Sequence, residues 1–289
     1  MQESVNKDRD KYIGGSDIPI IMNLSPYKSR YDLLLEKAGY KEDTFKGNIY
    51  TEYGNKMESK IRDYLNRISD GAPFIEGKHV REAQGDEIIG VRIHTDGERA
   101  IDIGTEVLEV KTTDKIYKSI KDYKIYLVQL LFYMVNTGAE SGILAVYERP
   151  EDLSEEFNNE RLFIYPVYPI NQGYFKNIVD EMERAIDLFI EDLKKVKANP
   201  FISEEELTPQ EIPDLVNLII SLSQNRDNIT SEIDTLMRSL YKALESMLRK
   251  RIKTPSGDIV NINGDSIVII SDKDNRYIER RVSEAKYED

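Results

Sequence analysis

Three strand-like runs crowded between residues 88 and 111, followed by a helix that is apolar on almost every side, constrain this chain most. The runs are Ile88 to Thr95, Ala100 to Ile103 and Val107 to Lys111. Asp96 closes the first run, and Gly97 permits a turn there. Side chains alternate across a strand, so Glu109 and Lys111 share one face while Leu108 and Val110 take the other. The helix, Tyr123 to Val135, carries Leu127, Val128, Leu130, Leu131, Phe132 and Met134, a pattern that requires burial all round. Gln129 lies in its middle. A buried amide without a partner costs about 1–3 kcal/mol, so a specific partner is expected: a backbone carbonyl, or an active-site lysine, water or phosphate.

The rest of the chain reads as helices and strands around this centre. Ser29 and Asp32 open a helix that stops near Gly39, and Met57, Ile61, Leu65 and Ile68 form one face of a helix over Asn55–Ser69. Strands from about Phe74 to Lys111 follow, then Gly142–Tyr147, Arg161–Val167 and a helix from about Gln172 to Lys197. Beyond the Glu204-Glu205-Glu206 run, Thr208-Pro209 starts a helical pattern carrying Ile212, Leu215, Leu218, Ile219 and Leu222. Ile229 to Leu248 repeats at threes and fours, and Asp258–Ile262 and Ser266–Ile270 flank an Asn263-Gly264 turn. The expectation is an α+β protein with a central mixed sheet flanked by helices, divided into a domain over 1–203 and an extension over 204–289. The extension is a helical hairpin plus a β-hairpin. Its basic residues Arg249, Lys250, Arg251 and Lys253 suit either a cation-favouring helix end or DNA contact.

The strand face bearing Glu109 and Lys111, with Asp96 beside it, suits hydrolysis of a phosphodiester. A hard cation such as Mg²⁺ takes oxygen ligands, which Asp96, Glu109 and the Val110 carbonyl can supply. Lys111 is then placed to hold water or to neutralise charge on a phosphate. An acid-x-Lys tripeptide alone says little, since it also begins at Glu58, Glu76, Asp122, Asp192 and Glu284. Only at Glu109 does it lie in an apolar run that follows an Asp-Gly pair. Glu58 flanks the apolar face of its helix and can lean into a cleft or pair with Arg62. Ile13-Gly14-Gly15-Ser16-Asp17 precedes an apolar run, where Ser16 serves as an N-cap or, with Arg9, as part of an anion site.

Composition excludes several chemistries. Without cysteine there is no disulfide, thiolate-held zinc or Cys-ligated iron–sulfur cluster, and two histidines, His79 and His94, argue against a His-rich metal site. No apolar run of the length of about 18 residues needed to span a membrane occurs, and the polar N-terminus lacks a signal-peptide core, so a soluble cytoplasmic protein is expected. A net charge of −13 opposes nucleic-acid binding, but it is unevenly spread. Residues 1–125 hold 21 Lys and Arg against 23 Asp and Glu, whereas residues 126–289 hold 19 against 30. Local potential governs phosphate binding, and Lys111, Lys115, Lys118, Lys121 and Lys124 cluster with Tyr117 and Tyr123 between them.

In order, Arg9, Ile13-Gly14-Gly15-Ser16-Asp17-Ile18, Leu24-Ser25-Pro26-Tyr27, Gly54 with Glu58, Asp96-Gly97, Glu109-Val110-Lys111-Thr112 and Gln129 resemble the lambda exonuclease-like (YqaJ-type) branch of the PD-(D/E)xK nucleases. The resemblance spans roughly residues 9 to 150. Thr95 stands where the family usually has Pro, and Leu127 where many members carry a first glutamine. The resemblance implies Asp96 and Glu109 as Mg²⁺ ligands (Mn²⁺ substituting), Lys111 as the catalytic lysine, Glu58 near the metals and Gln129 completing the site. It implies Arg9 and Ser16 as a pocket for a terminal phosphate. It further implies a phage or prophage exonuclease, acting 5′ to 3′ on double-stranded DNA ends in the host cytoplasm, a homo-trimer, and a single-strand-annealing protein as partner. An endonuclease with the same core and a catalytically silent DNA-end-binding protein are the alternatives.

Overall fold

Asn48 accepts hydrogen bonds from the N–H groups of Tyr50 and Thr51 and so starts helix α3, Ile49–Ile68, earlier than the apolar spacing predicts. Tyr53 extends its buried stripe of Met57, Ile61 and Leu65, while Ile68 is exposed. The computed structural model describes residues 8–43, 45, 47–207, 215–216, 219–220, 230–246, 251–254, 258–263, 266–271 and 276–281. It divides into two units, Met1–Lys194 and Lys195–Asp289.

The first unit begins with β1 (Tyr12–Ile13), a short helix α1 (Ile18–Ile21) and α2 (Arg30–Lys37), ahead of α3. Ser29 caps α2 by accepting the Asp32 N–H at 3.0 Å. Strands β2 (Ile75–Arg81), β3 (Gly90–Ile101) and β4 (Gly104–Thr113) follow, then α4 (Lys124–Thr137), β5 (Ser141–Glu148), β6 (Leu162–Val167) and α5 (Gly173–Ala198), whose last four residues belong to the second unit. The sheet runs β1-β3-β4-β5-β6, with β2 also on β3. β4 and β5 are parallel, with α4 as their crossover, and the β2–β3, β3–β4 and β5–β6 pairs are antiparallel. This is an α+β architecture with a mixed sheet between helices.

The two runs expected around Asp96-Gly97 are one strand. β3 passes straight through Gly97, which pairs with Leu108, and the chain turns instead at Asp102-Ile103. Gly97 serves close packing rather than a turn: a Cβ there would meet Phe74 Cβ at 2.9 Å and Leu108 Cβ at 3.3 Å. β2 occupies one edge of β3 from Val91 to Glu98. The other edge therefore serves both β1, at Gly90 and Val91, and β4, from Gly97 onward. Between them, from Arg92 to Asp96, that edge carries no strand among the described residues. The gap positions the site.

One face of β4 and β5 presents Leu108, Val110, Ala145 and Tyr147 to the Tyr53, Met57, Ile61 and Leu65 stripe of α3. The opposite face presents Val107, Glu109, Lys111, Gly142 and Leu144 to α4, where a Cβ on Gly142 would lie 2.6 Å from Met134 Sδ. α4 is buried along most of its length and ends at Gly138, whose φ of 69° suits glycine. α2 buries two basic residues at positions of its apolar stripe: Arg30, Leu33, Leu34 and Lys37 share the inner face. Arg30 donates to Asp192 Oδ2 at 2.7 Å and lies over the Phe189 ring.

In the second unit, α6 (Thr230–Ser246) contributes Met237, Leu240 and Leu244 to a core with Val216, Ile219, Ile252, Val260, Ile267 and Ile269. The sheet there has four antiparallel strands rather than two: β7 (Arg251–Lys253), β8 (Ile259–Asn263), β9 (Ser266–Ser271) and β10 (Arg276–Arg281). Arg251 and Lys253 stand exposed on a strand, with Ile252 turned inward, and not at a helix end. Thr208, Pro209, Ile212, Leu218, Leu222, Ile229, Leu248, Arg249, Lys250 and Gly264 lie outside the described residues.

Candidate active site

The β3–β4 ladder stops at the Gly97–Leu108 pair, and the next residues, Asp96 and Glu109, hold the site. Asp96 Oδ2 accepts the Val110 N–H at 2.7 Å, and the Asp96 carbonyl accepts from Arg62 Nη1 at 2.5 Å. Arg62 also donates to Glu76 at 2.7 Å. It is thus engaged with strand residues, and not with Glu58 as the i,i+4 spacing would allow. Glu109 is 1% exposed; its Oε1 lacks an aligned hydrogen-bond partner and faces the Lys111 ammonium in an ion pair. Glu58, on α3, interacts electrostatically with Asp96 and Lys111.

Three carboxyl groups and one ammonium share this place, and their acidities are displaced accordingly. Burial, with the Asp96 charge next, raises Glu58 to about 7. Burial raises Glu109 to about 8, against the pull of Lys111. Asp96 is also raised, chiefly by burial. For Lys111 burial opposes the charged form, but Glu109 and Asp96 outweigh it and the ammonium is held above its ordinary pKa. Displaced titration of this kind, at the end of a ladder, marks a candidate functional centre.

Gln129 is half-buried, and its Nε2 donates to the Tyr133 hydroxyl at 2.8 Å. The partner is therefore a side chain one helical turn on, neither a backbone carbonyl nor Lys111. Tyr133 is buried, and burial together with Glu109 and Asp96 holds its phenol well above the usual range. Its ring lies under Gly15, where a Cβ would come within 2.3 Å of Cε1. Sequence reasoning missed Tyr133, although its position four residues after Gln129 puts both on one helix face.

Arg9 and Ser16 come together in the gap beside β3. Arg9 Nη2 donates to Ser16 Oγ at 3.2 Å, and Nη1 donates to Asp43 at 3.1 Å. Ser16 is not the N-cap: it lies inside the 3₁₀ turn Gly15–Asp17, and Asp17 Oδ2 accepts the Gly14 N–H at 2.9 Å. A cavity of about 140 Å³ is bounded there by Arg9, Ser16, Asp17, Arg92, His94 and Tyr133, with Asp17 Oδ1 3.5 Å from Arg9 Nη2. His94, two residues before Asp96, is held below its ordinary pKa by burial, Lys78 and Arg92. Lys37 fixes the Arg9 segment from beneath. Its ammonium donates to the carbonyls of Arg9 at 2.8 Å and Tyr12 at 2.6 Å and pairs with buried Asp17 at 2.8 Å. The sequence signal for Lys37 was its place on the apolar stripe of α2.

A divalent cation fits the donor chemistry. Oε1 of Glu109 is a buried oxygen without an aligned donor, and the Asp96 and Glu109 carboxyls repel each other as anions. Among the described residues no three Asp, Glu or His side chains converge as a ready cage. Mg²⁺ characteristically takes one or two protein carboxylates and leaves its other positions to water and phosphate. Val110 contributes its N–H to Asp96, and its side chain is in the core.

Residues 6–140 match the model of the YqaJ-like viral recombinase domain. The matched segment is just under half of the chain. It contains every candidate residue from Arg9 to Gln129, Tyr133 included. No curated protein sequence matches the chain. Among solved structures, LHK-Exo in complex with dAMP is similar at 15% identity and a TM-score of 0.47, over 68% of this chain and 94% of that one. The alkaline exonuclease LHK-Exo from Laribacter hongkongensis is similar at 14% identity and 0.45, over 68% and 97%. A phage-related exonuclease from Haemophilus somnus is similar at 14% identity and 0.46, over 65% and 95%. No helix among the described residues is long and apolar enough to cross a membrane.

Proposed function

We propose that the first unit is a Mg²⁺-dependent deoxyribonuclease that resects duplex DNA ends, 5′ to 3′, in phage-type recombination. One observation carries this reading. The cavity bounded by Arg9, Ser16 and Arg92 shares Tyr133 with the Asp96–Glu109–Lys111 cluster. An anion pocket beside a hydrolytic centre suits a phosphate at a DNA terminus, and an endonuclease has no need of one. The match of residues 6–140 to the YqaJ-like viral recombinase domain supports a nuclease of recombination.

Asp96 and Glu109, with the Val110 carbonyl, would hold the cation. When bound, Mg²⁺ lowers the pKa of water and neutralises charge on the phosphate. The protein's own groups do the rest. Val110 N–H fixes the Asp96 carboxylate, and Lys111 stands where charge develops on a phosphoryl oxygen or a nucleophile. Arg9 and Ser16 present a guanidinium and a hydroxyl to a terminal phosphate. Gln129 is oriented by Tyr133.

The test is digestion of linear and closed-circular duplex of the same sequence with Mg²⁺. Loss of linear DNA alone is expected. Cleavage of the circle would make the endonuclease reading correct, and no cleavage of either would leave a silent end-binding protein.

A further inference from the structure

β4, which carries Glu109 and Lys111, runs directly into an exposed basic and aromatic surface. Thr113, its last residue, accepts the Arg149 N–H at its carbonyl at 2.7 Å and the Lys115 N–H at its hydroxyl at 3.2 Å. On one side Arg149 stacks its guanidinium over the Tyr50 ring, 4.2 Å from the centroid, and Tyr50 is 48% exposed. On the other side comes the loop 114–119. Its backbone is clamped by two phenols: Tyr117 N–H donates to Tyr123 Oη at 2.7 Å, and Tyr165 Oη donates to the Tyr117 carbonyl at 2.5 Å. Tyr123 packs edge-on against Tyr117, with centroids 5.1 Å apart, and against Tyr165 at 5.2 Å. The loop is therefore held by its backbone and by the Tyr117–Tyr123 ring contact, and its outward side chains remain exposed.

Those side chains are Lys115, Tyr117 and Lys118, all exposed. Among the described lysines several find an acid, as Lys60 does at Glu156, Lys124 at Glu181 and Lys176 at Asp180. Among the described residues Lys115 and Lys118 form no ion pair. Lys121, next along, lies over the Tyr174 ring at 4.9 Å. The acids of the same segment, Asp114 and Asp122, are exposed to solvent. Ammonium groups carried on a fixed backbone and interleaved with aromatic faces are what an unpaired nucleic-acid strand uses, phosphates on the lysines and bases on the rings. A duplex offers its phosphates but not its base faces.

We propose that Lys115, Tyr117 and Lys118, with Tyr50 and Arg149, form a ledge that binds an unpaired DNA strand next to the cleavage centre. The ledge rests on the nuclease reading above and adds where the separated strand lies.

The test is anisotropy titration of the full chain in EDTA against a labelled oligothymidylate and a labelled blunt duplex, across salt concentrations. Lys115→Ala with Lys118→Ala should lower the salt slope for the single strand by about 1.4, two phosphates at about 0.7 each, and leave the duplex slope unchanged. Tyr117→Leu keeps bulk against Tyr123 and should weaken the single strand roughly 5- to 100-fold. Lys60→Ala with Lys176→Ala is the charge-matched control, and melting curves establish folding of each variant. Retained single-strand affinity and slope, or equal losses on both probes, overturns the ledge. Cleavage of linear duplex by wild type with Mg²⁺, run in parallel, separates that result from failure of the nuclease reading itself.

Discussion

The backbone N–H of Val110 donates to Oδ2 of Asp96 at 2.7 Å, so the first carboxylate of the cluster is oriented by the strand that carries the second. The bond stands where the β3–β4 ladder would have continued. Side-chain acceptance replaces a main-chain bond, and β3 is released from β4 just where the cavity opens.

Lys111→Ala should reduce cleavage of linear duplex by about 10²- to 10³-fold, the usual cost of losing one electrostatic contact to the transition state. Because the ammonium pairs with buried Glu109, some stability is lost as well, and melting curves establish that the variant is folded at the assay temperature. Single-turnover rates with saturating enzyme measure it, and near-wild-type turnover would remove Lys111 from the site.

Mg²⁺ should raise the melting temperature of wild type in proportion to the logarithm of its concentration above the dissociation constant. Asp96→Asn and Glu109→Gln should lose most of that rise, since each removes one anionic oxygen donor. Scanning calorimetry with and without the cation reads this independently of activity. An unchanged response in both variants would place the ion elsewhere.

Arg9→Ala with Ser16→Ala should abolish a preference for duplex carrying a 5′ phosphate over one carrying a 5′ hydroxyl, leaving the slower rate. Asp96→Asn should stop both substrates alike. A wild type that digests the two ends equally fast would refute the terminal-phosphate pocket.

Lys37→Met should destabilise the first unit by about 3–5 kcal/mol, because it leaves the buried Asp17 carboxylate without its ammonium. Adding Asp17→Asn should recover part of that loss. Urea unfolding gives both values, and a cost under about 1 kcal/mol for Lys37→Met would mean that the pair is not coupled to folding.

Gly15→Ala should cost about 1–3 kcal/mol, since its Cβ would overlap the Tyr133 ring. In a Tyr133→Leu background the same change should cost less, and a double-mutant cycle measures the difference. Full additivity would show that the turn and the helix are independent.

Strand periodicity alone put Glu109 and Lys111 on one face and Leu108 and Val110 on the other, and helical periodicity gave the Met57, Ile61 and Leu65 stripe that covers the second face. These are local properties, carried by side-chain direction along one element. The sequence could not show that Gly97 is a packing contact, because the Phe74 and Leu108 Cβ atoms that require it come from other elements. Nor could it show that Gln129 turns to Tyr133, that Ser16 sits inside a turn with Arg9 upon it, or that Lys37 ties down the carbonyls of Arg9 and Tyr12. Lys37 meets the Arg9 and Tyr12 carbonyls across the fold, and even the short-range Gln129–Tyr133 and Arg9–Ser16 pairs are chosen among competing donors and acceptors once the sheet, with its open stretch on β3, is packed.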